Sequence, residues 1–122
     1  MFFSLRCLGT EEKRENNKFF TFRYPGRYII GRSDDGRVIL KRDGINSVII
    51  LGGIHKTVSK DHAILILKKP FMKKTSLILK DASTDRRTFI GGWSIENSDY
   101  EVKQGKHNLI LGNVFFDLFF QE

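Results

Sequence analysis

A chain of 122 residues, 40% apolar and 29% charged, is one domain with room for a real core, and its composition is that of a soluble protein. Its 21 basic residues outweigh 14 acidic ones by +7, which leaves two readings open: a solvated basic surface, or an anionic partner such as phosphate, an acidic peptide or nucleic acid. No apolar run approaches the ~18 residues of a membrane-crossing helix, the opening Met1-Phe2-Phe3-Ser4-Leu5-Arg6 is too soon interrupted for a secretory signal, and the lone Cys7 excludes an intramolecular disulfide, in keeping with a reducing intracellular compartment.

In chain order, Phe2-Phe3 and Leu5 start a strand at once, and Thr10 to Asn17 is a polar, charged loop. From Phe19 to Tyr24 the chain alternates. Phe20, Phe22 and Tyr24 share one face of a strand, and Thr21 and Arg23 take the other. Pro25-Gly26 breaks this run before Tyr28 to Ile30. Val38-Ile39-Leu40 and Val48-Ile49-Ile50 flank Asp43-Gly44, so residues 37–51 read as a hairpin whose loop is longer than a two-residue turn. Further β-branched and aromatic runs follow at Ala63 to Leu67, Leu77 to Leu79, Phe89 to Ile90 and Leu109 to Leu111. Gly52-Gly53, Gly91-Gly92, Gly105 and Gly112-Asn113 supply the turns. Val114 to Phe120 is apolar on both faces apart from Asp117, and a strand of that kind needs cover on both sides. It is either a central sandwich strand or an aromatic face left open for a following domain. Nothing reads as a helix of any length. Many short strands with frequent turns predict an all-β sandwich or barrel.

The chemistry lies in three ordered fragments. Gly31-Arg32 comes first, then Val58-Ser59-Lys60-Asp61-His62, then Asp81-Ala82-Ser83 with Thr88-Phe89-Ile90. They place an arginine, a serine hydroxyl, a lysine and a threonine on successive loops, and these are donors that a phosphate needs. A Ser–His hydrolase does not fit. Positions three apart on a strand face opposite sides, and no third orienting group is evident. His55, His62 and His107 lack metal-ligand spacing, and no P-loop or dinucleotide fingerprint is present, so no cofactor, metal or catalytic role is expected.

With these fragments the chain resembles the forkhead-associated (FHA) domain from about Tyr28 to Phe120. The family pattern is Gly-Arg, Ser-x-x-His, a strand ending in Asp-x-Ser, then Gly-Thr-aromatic-aliphatic-Asn-Gly. The resemblance implies a β-sandwich of about eleven strands whose loops at one end bind phosphothreonine peptides. It implies that Arg32 forks onto the phosphate and that Ser59 donates its hydroxyl. Lys60 adds a charge, and Thr84 and Asp85 stand at neighbouring contact positions. Gly31 and Gly92 are structural, and His62 braces the loop that carries Ser59. Arg86 and Arg87 are extra cations, read either as a solvated turn or as a second basic rim that favours acidic or multiply phosphorylated ligands.

Three departures bear on specificity. The family glycine before Thr88 is Arg87, in a loop that is longer than usual. The asparagine before Gly92 is Gly91. The Arg32-to-Ser59 spacing is extended by about the length of the 37–47 segment. The phrase Tyr24-Pro25-Gly26-Arg27-Tyr28-Ile29-Ile30-Gly31-Arg32 is similar to the opening of nibrin-type DNA double-strand-break repair scaffolds. It implies a single FHA domain over residues 1–122 at the N-terminus of a longer nuclear protein, with a phosphothreonine-containing partner and no membrane. The alternative is a basic β-sandwich with a structural or nucleic-acid-binding role and a vestigial phosphate site; the motif set weighs against direct nucleic-acid contact.

Overall fold

The computed structural model describes residues 1–15, 17–42, 48–69, 74–84, 87–96 and 98–122. Twelve strands are found among them: β1 (Phe2–Thr10), β2 (Phe20–Phe22), β3 (Gly26–Arg32), β4 (Val38–Arg42), β5 (Val48–Leu51), β6 (Ala63–Lys68), β7 (Ser76–Asp81), β8 (Thr88–Ile90), β9 (Trp93–Ser94), β10 (Asp99–Val102), β11 (Gly105–Leu111) and β12 (Val114–Gln121). They form two six-stranded antiparallel sheets, ordered β2-β1-β12-β11-β8-β9 and β10-β7-β6-β3-β4-β5. The all-β sandwich expected from the sequence is the fold.

Alternation explains the core. Phe3, Leu5 and Cys7 on β1 and Val114, Phe116, Leu118 and Phe120 on β12 point inward and are buried. They meet Tyr28, Ile30, Leu65, Leu67, Leu77 and Leu79 of the other sheet. Burial, opposed by a hydrogen bond accepted from the Gly9 N–H, pushes the Cys7 thiol up to about 11, so it stays protonated and apolar. β12 lies between β1 and β11, with Leu5 opposite Leu118 and Leu109 opposite Phe116. It is therefore a central strand. Its outward Phe115 and Phe119 are half-buried, under Arg14 and beside Phe2 respectively.

The hairpin expected over 37–51 exists as β4 paired with β5; its loop, including Asp43-Gly44, lies outside the described residues. Two strands, β9 and β10, were not legible as apolar runs. Both lie at sheet edges, where only one neighbour needs matching. One expectation fails. Phe20 and Phe22 pack against the core, but Tyr24 is 71% exposed. The strand ends at Phe22, because Pro25 and Gly26 (φ 158°) turn the chain, and the Tyr24 carbonyl instead accepts the Tyr28 hydroxyl.

Antiparallel pairing sends the ends of β1, β3, β5, β7 and β11 to one end of the sandwich. Thr10 pairs with Val114 there, and Arg32 with Val38. The three motif fragments lie on the loops at that end.

Candidate functional site

The site starts with a missing side chain. A Cβ on Gly31 would stand 1.7 Å from the Lys60 carbonyl oxygen, so only glycine lets the 52–62 loop lie against β3. The contact is closed by two backbone bonds: Arg32 N–H donates to Ser59 O (3.0 Å) and His62 N–H to Ile30 O (2.9 Å). Arg32 and Ser59, far apart in sequence, are thereby held side by side. The Arg32 guanidinium donates one N–H to Lys56 O (3.2 Å), which fixes its direction.

His62 is fully buried and ties three loops together. Its Nδ1 accepts the Ser59 N–H (3.0 Å), so the proton sits on Nε2, which donates to Arg87 O (3.1 Å). Arg87 O also accepts from Gly112 N–H (2.9 Å), bringing in the β11–β12 turn. The imidazole thus touches the Ser59 backbone and leaves the hydroxyl alone, which removes the activated-serine geometry. The Ser59 hydroxyl accepts the Thr84 N–H (3.3 Å) and meets Thr84 Oγ1 (3.4 Å) at the surface.

The β7–β8 loop is held by a knot on one carboxylate oxygen. Asp81 Oδ1 accepts the Ser83 N–H (3.0 Å), the Ser83 hydroxyl (2.6 Å) and the Thr88 hydroxyl (2.7 Å). Ser83 Oγ in turn accepts the Arg87 N–H (2.9 Å). Burial alone would raise the Asp81 carboxyl. The bonds from Ser83 and Thr88, with a smaller contribution from His62, outweigh it and hold the group below the ordinary carboxylate value. Thr88 is fully buried, so the threonine of the sequence trio is an anchor of this knot; the threonine at the surface is Thr84.

Arg32, Ser59, Lys60 and Thr84 therefore lie together at the loop end, and the Arg87 side chain is exposed. Arg32 and Lys60 line one depression of about 360 Å³ with Asp34, Asp35 and Ile54. Lys60 Nζ is 3.7 Å from Asp34, and both side chains are exposed. Hydrogen bonds from the Ser33 hydroxyl and from Arg37 hold the Asp35 carboxyl down at about 2, so this rim stays anionic. Asp34, Asp35 and Ile54 were missed in the sequence, although Asp34-Asp35 directly follow the Gly-Arg motif by two positions. Asp85 and Arg86 lie outside the described residues. Gly92 (φ 85°) stands in the two-residue turn joining β8 to β9, at the far end of β8 from Arg87. Its conformation is the left-handed one that this tight turn requires.

The fold is a sandwich of two antiparallel sheets with its candidate groups on loops at one end. The chain belongs to the FHA domain family, whose model matches residues 28–111. The fold is similar to the crystal structure of the FHA domain of the CT664 protein from Chlamydia trachomatis, at 16% identity and a TM-score of 0.64, covering 100% of both chains. Full-length yeast Pml1p aligns at 16% identity and a TM-score of 0.66, over 97% of this chain and 81% of that one. The Slr1951 protein from Synechocystis aligns at 16% identity and a TM-score of 0.59, over 98% and 99%. No curated protein matches the chain. FHA domains in general are non-enzymatic interaction modules that bind phosphothreonine-containing proteins.

Proposed function

We propose that this domain binds a phosphothreonine-containing protein at the loop end, with Arg32 and Ser59 as the phosphate donors. The observation that carries the reading is the Gly31–Lys60 close approach, which sets a solvent-facing guanidinium beside a surface hydroxyl on a rigid frame. A planar guanidinium suits phosphate oxygens because its N–H groups bond them in pairs. Lys60 adds a screened charge, Thr84 borders the threonine methyl, and the exposed Arg87 adds a cation for the residues that flank the phosphothreonine. Gly31 and His62 position the donors.

Such a pocket binds at about 1 μM, or roughly −8 kcal/mol. The test is calorimetry against a degenerate phosphothreonine peptide library, repeated with phosphoserine. Arg32→Ala removes charge-assisted bonds of about 1.5–3 kcal/mol and weakens binding at least ~10-fold. Unchanged affinity with the fold intact refutes the assignment. A DNA-repair, nuclear setting rests on the phrase Tyr24 to Arg32 alone. Tyr28, Ile30 and Gly31 of that phrase answer to the core and to the close approach. Its separate test is whether the full-length protein gathers at DNA breaks and loses that recruitment with Arg32→Ala.

A further inference from the structure

The outer face of the β2-β1-β12-β11 sheet carries more aromatic surface than a solvated sheet face needs. Phe2 and Phe119 pair there with ring centroids 5.9 Å apart, and Phe19 is 44% exposed. Cations lie over these rings: Arg6 over Phe19 at 4.6 Å, Arg23 over Phe2 at 5.2 Å and Arg14 over Phe115 at 4.3 Å. Between Phe19 and Phe119 a depression of about 490 Å³ opens, bordered by Ser4, Arg6 and Lys106. Asp117 on β12 is almost fully buried and bonded to Arg6 (2.7 Å), with Lys106 at 3.6 Å. One carboxylate thus answers two cations. The Arg6 side chain is 28% exposed and that of Lys106 61%, so both cations are open to a partner.

We infer that this face is a second binding surface, separate from the loop end, for an acidic partner segment that alternates carboxylates with aromatic or aliphatic side chains. A carboxylate meets the surplus charge of Arg6 and Lys106, and the adjoining apolar side chain enters between Phe19 and Phe119. Charge selects this occupant. A second copy of the chain would bring cations against cations, since the protein carries +7. Single-stranded nucleic acid needs open ring faces for base stacking, and here guanidinium groups already cover Phe2, Phe19 and Phe115. An extended segment presents alternate side chains at the spacing of the strands beneath it.

The probes are short peptides alternating Asp or Glu with Phe or Leu, the same peptides with Lys replacing the acids, and an oligothymidylate. Binding to the chain is read by fluorescence anisotropy and by NMR shift mapping. The acidic peptides should bind, move the amides of Ser4, Arg6, Lys106 and Phe119, and leave Arg32 and Ser59 unmoved. Phe19→Ser with Lys106→Gln should weaken them at least ~10-fold, since exposed aromatic anchors dominate such contacts. The same double variant should leave phosphothreonine-peptide affinity unchanged. Arg23→Glu, at an exposed position, is an independent check that puts no core residue at risk. The inference is overturned if the acidic and lysine peptides bind alike, if the variants bind like the parent, if the oligothymidylate alone occupies the face, or if sedimentation shows a dimer that these substitutions dissolve.

Discussion

Replacing His62 by alanine tests the frame on which the candidate site rests. The ring is fully buried, accepts the Ser59 N–H and donates to Arg87 O. The Arg87 carbonyl keeps the Gly112 N–H, so the group left orphaned is the Ser59 amide, at about 1–3 kcal/mol. Emptying an imidazole-sized space of roughly 60 Å³ adds about 1.5 kcal/mol at ~24 cal/mol per Å³. The expected loss is thus about 2.5–4.5 kcal/mol, a large share of a typical domain stability of about 5–15 kcal/mol. For 122 residues the unfolding entropy gives about 4 °C per kcal/mol, so Tm should fall by about 10–18 °C. Thermal and urea unfolding followed by circular dichroism measure both quantities. His62→Gln, which keeps a donor and an acceptor, should recover part of the loss. A loss below ~1 kcal/mol, or glutamine no better than alanine, refutes the claim that these two hydrogen bonds brace the loop.

Other outcomes follow from the same frame. Gly31→Ala drives a methyl into the Lys60 carbonyl and should cost about 1–3 kcal/mol in urea unfolding while lowering phosphopeptide affinity; a neutral effect would show that the loop can withdraw from β3. The Asp81 carboxyl is depressed in the folded state, so its contribution is full above the unfolded value of ~3.9 and is lost as pH falls through the folded value. The stability gap between the parent and Asp81→Asn should therefore be wide at neutral pH and narrow below about pH 4; a constant gap from pH 7 to 3 would assign the knot to shape alone. Reversing the charge of Arg86 and Arg87 should weaken acidic phosphopeptides more than neutral ones. Salt should shrink that difference, since exposed pairs are worth ~1 kcal/mol or less and are screened within ~8–10 Å. Equal losses would show that the two arginines do not read ligand charge.

Strands with a buried face were legible residue by residue, because period-two alternation and glycine turns are local signals. The runs from Val48 to Leu51, Ala63 to Leu67 and Val114 to Phe120 lie within β5, β6 and β12. Motif order likewise fixed which loops carry Arg32, Ser59 and Thr84. Short edge strands such as Trp93–Ser94 have no such signal, since their residues are paired on one side only. Nor could local pattern separate two threonines four positions apart. Thr88 is buried on Asp81 and Thr84 is open beside Ser59, a difference made by the path of the loop. Tyr24 left its expected face because a proline turn outranked alternation. The meeting of Arg32 with Ser59, and of Phe19 with Phe119 and Lys106, depends on which strands pair and where a chain can approach another backbone. Those are non-local choices, set by sheet order and by the space that a single absent Cβ leaves at Gly31.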